Sequence, residues 1–174
     1  VFKVLPFDWH WHIVEGAAEL NHCTAWSKPN GGQITGEFHQ NGLSRDGSTA
    51  YIDDLARKYP ERISVYRKAG GELWNGKIEM VQAPLKVMSE GLLWEIDADE
   101  LWTADQIVRM KQLFDQQPGR TAAYFHCYYF VGKNRYVSSL NTWCTKPKDW
   151  VRVWRLDGRP VSWQRHEPPV LVND

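Results

Sequence analysis

At 174 residues the chain has the length of one domain able to bury a core of its own. Its 21 basic and 21 acidic side chains cancel, which argues against a broad polyanion-binding face, against nucleic acid as a partner and against a basic membrane-surface anchor. No apolar run approaches the ~18 residues of a membrane span and the amino terminus lacks a signal-peptide layout, so a soluble, cytoplasmic chain is expected. Cys23, Cys127 and Cys144 stand far apart outside any CxxC spacing and read as free thiols. Ten tryptophans are the one compositional oddity; flat indole faces suit both a dense core and sugar stacking.

In chain order, Trp9 to Gly16 (WHWHIVEG) is a short β-prone run closed by a turn-permissive glycine. The next thirty-odd residues mix Gly, Asn, Ser and Pro without a period and read as a long surface loop. Ser48 or Thr49 caps a helix that places Tyr51, Ile52, Leu55 and Tyr59 on one core-facing side. Arg62 to Arg67 (RISVYR) is the second strand. Residues 75–91 carry a helical pattern that Pro84 kinks or restarts, and LLWEI is the third strand. Thr103 and Gln106 match a capping box, ahead of an apolar stripe of Ile107, Met110, Leu113 and Phe114 that ends near Pro118. The remaining segments, TAAYFHCYYFVG, RYVSS, WVRVWRL and PVSWQ, are aromatic and β-branched, as in antiparallel pairs. Alternating strand and helix in the first two thirds implies parallel β-α-β units in a single domain over residues 1–174, with a small antiparallel extension.

The chemistry concentrates in LLWEIDADELW, Leu92 to Trp102, where an apolar strand runs into Asp97, Asp99 and Glu100. In an extended chain Asp97 and Asp99 project to one side about 7 Å apart, and alternation adds Glu95 to that face. Such a cluster calls for a cation, and hard carboxylate oxygens prefer Mg²⁺ or Mn²⁺. A solvated acidic turn leading into a helix is the plain alternative. Glu95, inside an apolar strand, is expected in a structural ion pair. Lys77 opens a helix, where its charge and the first amides together suit a phosphate. His10 and His12 form an H-x-H pair that reads as packed and hydrogen-bonded more readily than as metal ligands.

The order of WHIVEG, SRDGST, RISVYR, LLWEIDADELW and WQRHEPP resembles the glycosyltransferases of the GT-A fold, in particular family 2-like members, over nearly the full chain. The resemblance implies an α/β domain of GT-A type, with a mixed sheet flanked by helices. It implies that Asp97 and Asp99 hold Mn²⁺ or Mg²⁺ on the diphosphate of a nucleotide-sugar donor, with His166 as a further ligand and Asp97 also facing the donor. It also places Glu15 where such enzymes carry an acid against the nucleotide base or ribose. The first strand of that fold and its nucleotide-facing loop have no counterpart before VFKVLPFDW, so either a piece of a longer protein or an incomplete donor site in an inactive isolated chain is expected.

A bound metal offsets the charge that builds on a departing diphosphate oxygen, and direct displacement needs a base at the acceptor hydroxyl, Glu167 first and Asp149 second. The acceptor, whether glycan, lipid or protein, is not specified by sequence. Rival readings are a metal-dependent phosphohydrolase or nucleotidyltransferase using the same acids, and a non-catalytic carbohydrate-binding module whose aromatics grip glycans. Trp94, Trp102, Trp143, Trp150, Trp154 and Trp163 are expected mainly to fill the core.

Overall fold

The computed structural model describes residues 4–19, 34–138, 151–165 and 170–173. It is a mixed α/β protein whose chain divides into two units, Asp8–Met88 and Ser89–Asp174, the latter joined by Val1–Phe7. No helix among the described residues is long and apolar enough to cross a membrane.

The first unit is built on a β-α-β crossover. Strand β1 (Trp11–Val14) pairs in parallel with β4 (Ile63–Tyr66), and helix α1 (Ser48–Lys58) lies between them in sequence. The parallel pairing expected from strand–helix alternation is present here. Within the stretch read as a loop, β2 (His39–Gln40) and β3 (Leu43–Ser44) form a hairpin turned by Asn41 and Gly42, both at positive φ. Asn-Gly is the sequence that a two-residue hairpin turn asks for, so the signal was legible in QNGL.

Helix α1 departs from the expected cap. Gly47, at φ 95°, is its N-cap, and the free amide of Ser48 is met by Asp46 Oδ1 at 3.0 Å. Thr49 is thereby released for another role. Tyr51 is exposed, while Ile52, Leu55 and Tyr59 are half-buried, so the core-facing stripe is narrower than the periodicity suggests. Helix α2 (Gly76–Leu85) carries Pro84 in its last turn, and the helix stops there.

Gly16 follows β1 at φ 140°, and a Cβ there would lie 2.8 Å from Trp74 Nε1 and 3.3 Å from the Gly42 carbonyl. Trp74 is buried and its indole donates to the Glu15 carbonyl at 3.0 Å, so it has little room to yield. Gly16→Ala is expected to lower stability by about 1–3 kcal/mol, read as a lower urea midpoint with unchanged slope.

The second unit is centred on a three-stranded sheet in which β9 (Val151–Asp157) runs between β5 (Glu90–Trp94) and β6 (Ala122–Tyr124). Both pairings are antiparallel. This corrects the expectation that LLWEI continues a parallel sheet: β5 finds its partner in a carboxy-terminal strand, 59 to 67 positions along, by the registers Trp94↔Val153 and Glu90↔Asp157. As the middle strand, β9 buries both faces, including Val153, Trp154 and Leu156.

Helix α3 (Ala104–Gln116) begins at the expected capping box of Thr103 and Gln106 and buries Ile107 and Phe114. Leu113 is exposed, which removes it from the expected stripe. Arg155 of β9 donates to the Phe114 carbonyl at 2.7 Å, satisfying an acceptor that the helix end leaves open. Trp94, Trp102 and Phe125 pack ring against ring, as do Trp154 and Trp163, so these tryptophans fill the core. Two hairpins complete the unit: β7 (Tyr128–Phe130) with β8 (Tyr136–Ser138), and β10 (Val161–Arg165) with β11 (Val170–Asn173).

Candidate functional site

The extended backbone of β5 ends before the acids do. The Glu100 amide donates to the Asp97 carbonyl at 3.0 Å and closes a four-residue turn, so strand alternation no longer governs Asp97 and Asp99. The side chains that converge are Glu95, Asp97 and Glu100, and they converge on Arg152 of β9. Its Nη2 donates to Asp97 Oδ2 at 2.8 Å and its Nε to Glu100 Oε1 at 2.8 Å, while Nη1 lies 3.6 Å from Glu95 Oε2. The cation that the acid run calls for is therefore supplied by the protein.

The arginine side chain is only 5% exposed, against 10% for Glu95, 21% for Glu100 and 42% for Asp97. Burial works against the guanidinium charge, but Glu100, Asp97 and Glu95 outweigh it and raise the Arg152 pKa above its ordinary value. The Trp102 indole adds a donor to Glu100 Oε2 at 3.3 Å. Glu95 sits in the ion pair expected for it. Sequence reading missed Arg152, although an arginine between valines on an aromatic, β-branched strand is the pattern of a buried cation that needs acids.

Asp99 differs from its neighbours. It is the third residue of the turn, exposed, and engages none of the Arg152 nitrogens. Only Oδ2 of Asp97 is bonded to the arginine. Among the described residues no group of three or more His, Cys, Asp or Glu side chains could hold a metal. Such a donor set does not suit an ion caged by protein alone, but Mg²⁺ or Mn²⁺ carried on substrate phosphates needs only one or two carboxylates. Asp97 and Asp99 supply carboxylates in that number. His166, Glu167 and Asp149 lie outside the described residues.

The other expected site residues belong to the first unit. Glu15 is 6% exposed and its carboxylate is taken up by protein donors. Thr49 Oγ1 donates to Oε1, and Arg67 donates to Oε2 through Nε at 2.7 Å. Arg67 also donates to Asp53 Oδ1 at 2.6 Å. Burial raises the Glu15 pKa, but the hydrogen bonds from Thr49 and Arg67 and the charge of Arg67 win, leaving it below the ordinary glutamate range. A nucleotide approaching Glu15 would have to compete with Arg67. Lys77 is exposed in the first turn of α2. That helix start already carries an anion: Glu79 accepts from the Asn75 amide at 2.7 Å and from Lys68 Nζ at 2.5 Å.

His10 and His12 are hydrogen-bonded across the parallel pair, His10 Nε2 with Ser64 Oγ at 2.9 Å and His12 Nδ1 with the Tyr66 hydroxyl at 2.8 Å. Burial, then the nearby His10, lowers the His12 pKa. These contacts match the packed reading of the H-x-H pair. No family model, no curated protein and no solved structure matches the chain.

Proposed function

We propose that the chain is a divalent-metal-dependent glycosyltransferase of GT-A type, moving a sugar from a nucleotide-diphospho-sugar to a hydroxyl acceptor. The order of its segments supports this reading, as does the β1–α1–β4 crossover. The observation that carries it is the exposed carboxylate of Asp99, held at the end of β5 by a turn whose first and last side chains are both fixed on Arg152. Arg152 already offsets the repulsion among the acids. Asp97 and Asp99 would hold the ion, which when bound offsets charge on the departing diphosphate oxygen. The turn's task is orientation: fixing both ends orders the Asp99 backbone before donor binds.

The same arginine favours a second reading. If the acids serve only to bury Arg152, the chain is a non-catalytic carbohydrate-binding module that needs no metal.

Calorimetric titration of nucleotide-sugars with Mn²⁺, and again with EDTA, separates the two. Metal-dependent binding weakened at least about tenfold in Asp99→Ala, with the urea midpoint unchanged, is the expected result for a lost charge-assisted ligand. Sugar binding that ignores EDTA and survives Asp99→Ala would establish the second reading in its place.

A further inference from the structure

Net neutrality conceals a local separation of charge. From Gln116 to Lys148 the sequence contains no acidic residue, while Arg120, Lys133, Arg135, Lys146 and Lys148 fall within it. The β7–β8 hairpin lies in this stretch and turns through Gly132, Lys133 and Asn134, closed by the Val131 amide donating to the Arg135 carbonyl at 3.0 Å. Lys133 and Arg135 are exposed at its end, and neither is ion-paired among the described residues.

The same hairpin exposes apolar surface. Strand alternation directs Tyr128 and Phe130 to one side, and the register places Tyr136 opposite Phe130. Phe130 is 71% exposed, Tyr128 61%, Tyr136 60% and Val131, beside the turn, 53%. Tyr129 and Val137 occupy the other side and are half-buried. An ordered strand pair that keeps three aromatic rings and a valine in water at its tip is unfavourable unless a partner takes them up.

We propose that this hairpin is a membrane-surface contact, seating Phe130, Val131, Tyr128 and Tyr136 in the interface of an anionic phospholipid bilayer with Lys133 and Arg135 on the headgroups. Aromatic rings partition to the headgroup level, where an apolar body and a polar tip are both satisfied. Basic side chains beside them gain from anionic lipid and can extend their charged ends to the phosphates. A single-stranded nucleic acid would also meet aromatics and cations, but it stacks on open ring faces. Here Tyr128 and Tyr136 pack edge to face at 4.7 Å, and Val131 offers no ring. Lipid accepts both features.

The test is flotation of the full chain with phosphatidylcholine vesicles, with and without phosphatidylserine at about one lipid in three, a content that gives the surface its negative potential. Binding to the anionic vesicles alone is expected, weakened at least about tenfold by Lys133→Glu with Arg135→Glu and, separately, by Phe130→Ser with Val131→Ser. All four side chains are exposed, and an unchanged far-ultraviolet circular dichroism spectrum confirms that each variant is folded. Failure to float with anionic vesicles, or flotation indifferent to both variant pairs, overturns the proposal. So does release from the vesicles by a single-stranded oligonucleotide, which would make the hairpin a nucleic-acid surface, or a dimer abolished by the same substitutions.

Discussion

Arg152→Met is expected to destabilise the second unit by about 3–5 kcal/mol, the cost of stranding buried carboxylates whose cation has been removed. That is a large part of the about 5–15 kcal/mol that holds a domain folded. Glu95 bears most of it, being the least exposed of the three acids, whereas Asp97 can turn its charge to water. Urea midpoints of the two proteins at neutral pH read the difference. Adding Glu95→Gln to the variant should recover part of the loss, while Arg152→Lys, which keeps the charge without the planar fork, should fall between. Equal midpoints for Arg152→Met and wild type at neutral pH would show that the cluster contributes nothing.

Arg67→Met is the second large effect, expected at about 3–5 kcal/mol in the first unit for the same reason. Here the pH dependence weakens on substitution. In the wild type the Glu15 pKa is depressed, so its stabilisation is complete above the ordinary glutamate range and is lost as pH falls through the folded value. In the variant, burial is opposed by the Thr49 hydrogen bond without the arginine, so the depression lessens and less stability is lost on acidification. Midpoints measured downward from neutral pH should fall below about pH 4.3 for the wild type and fall less for the variant. Glu15→Gln in the Arg67→Met background should remove what remains of that dependence. Parallel pH profiles for the wild type and Arg67→Met would show that the pair is not coupled to folding.

Local signals were the ones that could be read directly. The capping box at Thr103 and Gln106 and the strand at RISVYR depend on neighbours within four residues, and they stand where the sequence places them, whereas at Pro84 the helix ends at Leu85 instead of kinking or restarting. The partner of β5 is another matter. An apolar strand between two helical patterns reads as parallel, and nothing in LLWEI itself announces an antiparallel neighbour some sixty residues on, in WVRVWRL. The site was half legible for the same reason: the acids stand together in sequence, but their arginine does not. Thr49 shows a further limit, because a residue able to cap a helix is equally able to donate to a buried carboxylate, and Gly47 left it free to do so.

Arg152 also settles how β5 and β9 align. Apolar alternation forbids a slip of one residue, since every side chain would change face, but it tolerates a slip of two. The backbone of Arg152 accepts from the Glu95 amide at 2.9 Å while its guanidinium reaches past it to Asp97 and Glu100. A shift of two positions that set Arg152 opposite Leu93 would carry the fork off the turn and bury a charge against leucine. One polar side chain thus acts as a vernier on a strand pair that greasy residues alone would leave free to slide.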